Sequence, residues 1–569
     1  MAASPSASAA RAQNADFVRD GSYFQLQDRL PLSWPTPPGV PPSPKRSYRS
    51  HYVYLGCSEL QDREAWAGTL WVLSDFDLVL RLIDFSGLRP VLAQRLGWTS
   101  GRGWKPFDPL SIFLFLGWQI TNGWKRAQAL RHLADPRYAD YRDRFGFEEG
   151  TYPTEGGLRH FLKSLGYHSD SAGDTIRIEL DDEPAVEVAI QYLNQFLVGA
   201  VQLIREAGLF SAEAWTRALV CPDGMLHDAA SHLRCAAVQE SCYQPTSPQA
   251  PRHCPAKEKE QQGCDCDTFA CADACRHTTP RDAEARFVHY SGSNQPRHNP
   301  NRPQDESKKK KGSGRKCYGY RSLALLLADP VHRFHVPLLQ DFQAANGREE
   351  ISATAMLLQL EHLYPDLHLD AVVGDAGFGF DVFLRTVYNL EAKRVIDLRA
   401  HETDKDKEKW PMRGYDNRGR PLCPFGYAFT ANGFDAKRQR YKWFCGKACQ
   451  RDVEPVVRLE GTLYPPPECA YQAENLPYGK ILNIGACFPD GSSRLVRDVP
   501  VGSPTWKALY HRARNASEGR NATYERWHLK RMPIYGLCRA KALSFLADTW
   551  STLTTLARLV REATFADTS

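Results

Sequence analysis

The chain has 569 residues, 42% of them hydrophobic, 11% aromatic and 24% charged. This globular composition excludes a disordered, collagenous or fibrous protein. With 72 Lys and Arg against 66 Asp and Glu the net charge is only +6, so any nucleic-acid surface must come from local clusters.

Length predicts two to four domains. The longest mostly apolar run, Leu110 to Trp118, is far short of the roughly 20 residues that span a bilayer. The first residues, Met1-Ala-Ala-Ser-Pro-Ser-Ala, lack a basic stretch followed by an apolar one, so the expectation is a cytoplasmic protein with no membrane partner. In that setting 16 cysteines point to thiols or metal sites. Eight lie between Cys221 and Cys275 and five between Cys423 and Cys487.

Residues 1–50, rich in Ala, Ser and Pro, read as a tail. From 51 to 212 the periodicity is helical. Asp108-Pro109 supplies an N-cap and first-turn proline for a helix over Leu110 to Asn122. Leu158, Phe161, Leu162 and Leu165 repeat at helical spacing, as do Val186, Ala189, Tyr192, Leu193 and Phe196. An all-α domain follows, in which the helices near 125–134 and 155–165 form either a DNA-reading helix-turn-helix or an ordinary bundle pair.

After Trp215 the period changes. Arg217 to Gly224, Tyr318 to Ala328, Arg333 to Leu338, Leu369 to Gly374 and Lys393 to Arg399 read as strands. Ile351 to Leu363 and Val382 to Tyr388 read as helices between them, which predicts a mixed α/β sheet. Residues 401–503 break the rhythm with turns, short β runs and cysteines. Helix returns from about Trp506.

Asp223 and Asp375 both follow apolar strands, where carboxylates hold divalent cations for phosphoryl chemistry; the alternative is a simple Asp-Gly turn. A third acid lies in 507–540, which carries eight basic and two acidic residues. On a helix Arg514, Glu518, Asn521 and Glu525 share one face. This is either a metal ligand beside a DNA backbone or a solvated helix whose glutamates pair with its arginines. Lys308, Lys309, Lys310 and Lys311 form a second basic run, a phosphate contact or a solvated loop. Cys423, Cys445, Cys449 and Cys469 offer four thiolates for one structural Zn²⁺ in a β-rich insertion. Cys254, Cys264, Cys266, Cys271, Cys275 and His277 form a denser cluster whose ligands are ambiguous, with plain reduced thiols as the alternative.

The motifs Cys221-Pro-Asp223-Gly, Val372-Val-Gly-Asp375-Ala-Gly-Phe and Arg514-Asn-Ala-Ser-Glu518-Gly-Arg-Asn521 resemble those of DDE transposases of bacterial insertion sequences. The stretch from Thr279 and Lys316-Cys-Tyr-Gly-Tyr-Arg is also similar. The resemblance runs from about residue 60 to 555. It implies an RNase H-like catalytic domain in two parts, 213–400 with a Cys-rich basic loop at 235–316, and 504–569 carrying the Glu. The 401–503 insertion separates these parts, and the helical region 51–212 precedes them as a DNA-binding domain. It also implies an acidic triad of Asp223, Asp375 and Glu518 holding two Mg²⁺ or Mn²⁺ ions. Arg514, Arg520, Arg526 and Lys530 would lie on DNA, the partners being element ends, target DNA and a second copy of the chain, in a nucleoid-associated setting. Related transposases often carry a Lys seven residues after the Glu, where this chain has Glu525. Glu525 is thus a rival third ligand, and Arg526 and Lys530 both compete for the Lys role. Two further readings stay open: a non-catalytic DNA-binding protein, and a nuclease of the same fold that does not join strands.

Overall fold

The computed structural model describes residues 31–230 apart from 38–39, 41, 43–46, 57–62, 99–104, 168–174 and 181–182. It continues with 234–235, 278–279, 282, 284–290 and 315–396. Beyond these it covers 416, 420–485 apart from 436, 439, 468 and 470–476, then 499 and 504–566. The Lys308–Lys311 run and the cluster from Cys254 to His277 lie outside the described residues.

The N-terminal half begins with strand β1 (Leu32–Ser33), parallel to β2 (Ile83–Asp84). Helices α1 (Arg63–Val72), α2 (Asp75–Leu82), α3 (Leu88–Arg95), α4 (Pro109–Thr121), α5 (Arg126–Ala134), α6 (Ala139–Phe145) and α7 (Glu155–Tyr167) follow the chain, β2 lying between α2 and α3. The start of α4 matches the expectation: the Asp108 carboxylate accepts from the Leu110 N–H at 3.0 Å, with Pro109 in the first turn. Asp108 is also clamped by Arg89 at 2.9 Å. Every residue from Pro109 to Ile120 is buried, as an all-apolar helix requires.

Three expectations change in this half. The tail is shorter than 50 residues, because Trp34 is buried and stacks on Phe85 with ring centroids 5.8 Å apart. Between α5 and α7 stands a further helix, α6, so those two are not joined by the tight turn of a helix-turn-helix. The run from Val186 is not helical: β3 (Thr175–Ile178) and β4 (Val186–Ala189) form an antiparallel ribbon. Helix α8 (Asn194–Glu206) starts only after it. Val186 and Val188 sit two apart and pack with Ile176, Ile178 and Ile351, so β-branched residues meeting across strands outweigh a weak helical period.

A short helix α9 (Ala212–Thr216) leads into the main sheet. Its strands are β5 (Ala218–Asp228), β8 (Arg286–Tyr290), β9 (Arg315–Asp329), β10 (Phe334–Ala344), β11 (Leu369–Gly374) and β12 (Lys393–Ile396). A separate bridge pairs β6 (Arg234–Cys235) with β7 (Thr278–Thr279). The sheet order is β10-β9-β5-β11-β12, with β8 also on β9. Strands β5, β9 and β10 pair antiparallel, whereas β5, β11 and β12 run parallel. The parallel connections pass through α10 (Glu349–Leu363) and α11 (Asp381–Asn389), so the mixed α/β class expected from the strand pattern is present.

Alternation decides which helix covers which face. Leu219 and Cys221 of β5, with Ala371 and Val373 of β11, pack against Trp506, Ala513 and Ala516 of α12 (Pro504–Arg526). Ala218, Val220 and Val372 point the other way, into the large core that holds Met356, Leu357, Phe383 and Val387. That core is continuous with the N-terminal helices through α13 (Leu537–Ala566). Trp550 of α13 lies 5.0 Å from Phe76 and 5.3 Å from Phe113, centroid to centroid. A Cβ at position 117 would stand 2.0 Å from the Trp550 ring, so only Gly117 permits this crossing of α4 and α13. The expected division between 212 and 213 therefore falls between elements that share one core.

The insertion carries a small antiparallel sheet of β13 (Thr430–Asp435), β14 (Arg440–Phe444) and β15 (Ile481–Gly485). Among the described residues, no helix is long and apolar enough to cross a membrane.

Candidate active site

Period two brings the aspartates together. Leu219, Cys221 and Asp223 share one face of β5, and Ala371, Val373 and Asp375 share the corresponding face at β11, so both acids lie under α12. The strands pair parallel with Val372 opposite Val220; Asp375 and Asp223 each follow that pair by three residues and lie close enough for one guanidinium to meet both. Asp375 ends β11 as expected, and its carboxylate accepts from the Gly377 N–H at 2.8 Å, capping a short 3₁₀ turn. Asp223 does not end its strand. It sits within the eleven-residue β5, opposite Ala324 of β9, because β9 goes on pairing with β5 past the acid.

Helix α12 brings cationic and amide groups to this pair. Arg514 donates to Asp223 Oδ1 at 2.9 Å and lies 3.9 Å from Asp375 Oδ2. Asn521, two turns on, donates its amide to Asp223 Oδ2 at 3.4 Å. Glu518 lies between them on the same helical face, exposed. Arg514 thus turns to the sheet and does not form the i, i+4 pair with Glu518 that a merely solvated helix would favour. Glu525 forms an ion pair with Lys530. Arg526 is exposed.

Arg520 overturns its expected place on DNA. It is buried, and its guanidinium meets Asp548 of α13 at 2.9 and 3.0 Å and Ser322 of β9 at 3.1 Å. Ala513, Ser517, Arg520 and Tyr524 recur at helical spacing on the buried side of α12, so Arg520 points into the core.

Burial is the main influence on Asp223. It raises the carboxyl to about 6, against the pull of Arg514 and Arg520, with Asp375 adding to the rise. Nearby, burial also holds Cys221 as a thiol and keeps His227 neutral, lowering it to about 3. The His227 ring bridges Ser322 at 2.8 Å and the Leu529 carbonyl at 3.0 Å, fastening β5 to the segment that leaves α12.

Sequence reasoning missed a further acid. Glu349, at the start of α10, pairs with Arg321 of β9 at 3.0 Å. A Cβ at Gly224 would lie 2.6 Å from Glu349 Oε1, and one at Gly377 would lie 3.7 Å from Oε2. Glu349 therefore stands beside the residues that follow each aspartate. Burial raises it, Arg321 opposes the rise, and Asp375 and Asp223 add to it. Glu349 precedes the helix expected from Ile351 and belongs to no motif; the available signal was Arg321, the single charge in the apolar run from Tyr318 to Ala328.

The structure thus joins Asp223, Asp375, Arg514 and Asn521, sets Glu518 on the same helical face and adds Glu349. The cysteines Cys423, Cys445, Cys449 and Cys469 line one small cavity in the insertion. Among the described residues, no group of three or more His, Cys, Asp or Glu is already assembled as a metal cluster. No protein-family model matches the chain, and no curated protein matches it.

Proposed function

We propose that this chain is a DDE transposase with an RNase H-like core, acting as a homodimer on the DNA ends of its own mobile element and on target DNA. The observation that carries the reading is the pair Asp223, within β5, and Asp375, just past the adjacent parallel β11, both met by one guanidinium. Carboxylate oxygens are the hard donors that Mg²⁺ or Mn²⁺ takes, and Asp223, Asp375 and Glu518 would hold such ions. Bound there, a pair of ions supplies an activated nucleophile and a stabilised leaving oxygen for in-line displacement.

The chain's own residues do the rest. Asn521 and Arg514 orient Asp223, and Glu518 shares their face of α12. Arg526 on the exposed side of α12 offers charge to a phosphate backbone, giving affinity without sequence reading. Lys530 does so only by leaving Glu525. The neighbouring carboxylate of Glu349 adds negative charge that favours cation entry.

The test uses the purified chain, Mg²⁺ and a DNA carrying the sequences that flank its coding region. Expected are nicks or breaks at those ends followed by products joined to a second DNA, both lost in Asp223→Asn, Asp375→Asn and Glu518→Gln. Cleavage without joining makes the protein a nuclease, and binding without cleavage makes it a DNA-binding protein. Activity in Glu518→Gln together with its loss in Glu525→Gln moves the third role to Glu525.

A further inference from the structure

The insertion holds a site of different chemistry, one that stands whether or not the chain cuts DNA. Cys423 opens a turn closed by the Gly426 N–H donating to the Cys423 carbonyl at 2.9 Å, while the Cys423 N–H donates to Tyr427 at 2.7 Å. The Cys423 side chain sits on this turn, beside the backbone of Phe425 and Tyr427. Cys445 follows β14 directly. Its N–H donates to Lys480 and its carbonyl accepts from Gly479, both at 2.8 Å. Lys447 takes a positive φ of 50°, which bends the chain so that Cys449 comes back within the short helical turn Ala448–Gln450.

Cys445 and Cys449 lie close enough to Cys423 to act on it electrostatically. Four thiols brought from separate segments to one small cavity suit a single tetrahedral cation. The four cysteines surround a cavity of about 20 Å³, enough for one small ion or water. Lys447, between Cys445 and Cys449, is buried. The module also needs a staple: its buried hydrophobic side chains, among the described residues of 416–485, are Leu422, Tyr427, Phe429 and Leu459, too few for an independent core.

We propose that Cys423, Cys445, Cys449 and Cys469 bind one structural Zn²⁺. Four thiols lose four protons to the solvent as four Zn–S bonds of about 2.3 Å form, drawing the sulfurs inward across the cavity. The site is closed to water and does no chemistry. Its influence reaches α12 through the turn it pins: Val457 donates to Gly426, and Glu460, three residues on, pairs with Lys507 at 2.8 Å.

Elemental analysis of the full-length protein tests this, with the double variant Cys445→Ser/Cys449→Ser beside the wild type. The expected result is one zinc equivalent fewer in the variant, while Cys264→Ser/Cys266→Ser leaves this equivalent in place. Equal zinc in wild type and Cys445→Ser/Cys449→Ser overturns the proposal. Should the double variant not fold, the full-length wild type and Cys423→His are loaded with Co²⁺. The tetrahedral thiolate-to-cobalt absorption must change in Cys423→His as one sulfur gives way to nitrogen, and an unchanged spectrum refutes the site.

Discussion

Arg514 and Arg520 are six residues apart on one helix, inside one basic stretch, yet they do opposite work. Arg514 points to the strand edge and meets two carboxylates at a partly open site. Arg520 points into the core, where Asp548, Ser322 and Tyr524 surround it and its own side chain is 2% exposed. Six residues advance a helix by about 600°, so the two side chains emerge on different sides. A charge cluster in a sequence states how much charge is present; rotation about the helix axis states whether it serves function or stability.

The largest expected effect on the site face is loss of reaction. Asp223→Asn or Asp375→Asn should reduce Mg²⁺-dependent DNA cleavage to background while leaving the folded state intact by circular dichroism. Cleavage near the wild-type rate in either variant would remove the site from the mechanism.

On the core face the effect is on stability. Arg520→Ala leaves Asp548 as an uncompensated buried charge and should cost about 3–5 kcal/mol, measured as a shift in the urea midpoint. Arg514→Ala should cost less, because its guanidinium is partly exposed and Asp223 keeps the Asn521 amide and can take up a proton. Equal losses would erase the contrast between the two faces.

Protonation sharpens the comparison. The Asp223 carboxyl titrates near 6 when folded and near 3.9 in an unfolded chain. Between those values the folded state binds more protons, so stability from this group falls as pH rises through the window. Cation binding needs the ionised form. Mg²⁺ affinity should therefore drop about tenfold per pH unit below about 6, read by titration calorimetry, and Asp223→Asn should abolish that slope. A slope of the same size in the variant would assign the proton elsewhere.

The smallest effect is expected from Glu349→Gln, which removes one negative charge beside the aspartates. Mg²⁺ affinity should fall several-fold, with cleavage retained at saturating metal. An unchanged affinity would show that Arg321 already neutralises this carboxylate.

Much of the sheet was legible in the sequence. Strands β9, β10, β11 and β12 fall where the apolar runs place them, and Asp375 terminates β11, because a buried strand must be apolar and must end where the chain turns. The register of Asp223 was not legible. Its Asp-Gly pair has the chemistry of a turn, and only the long partner strand β9 keeps β5 extended past it. Glu349 was hidden for a related reason, since its neighbours in the site come from β5, β9 and the turn after β11. The ribbon at Val186 shows the same limit: Ile351 of α10 helps decide that those residues are extended.

The sequence by itself determined the acids, the apolar strands that lead to them, and the helical spacing that sets Arg514, Glu518 and Asn521 on one face of theirs. Tertiary structure decided which faces meet. It turned Arg514 toward carboxylates and Arg520 toward Asp548, admitted Glu349 beside Gly224 and gathered four cysteines around one cavity. Period and chemistry are local properties of a chain; which partner a buried charge finds depends on residues that folding alone brings near.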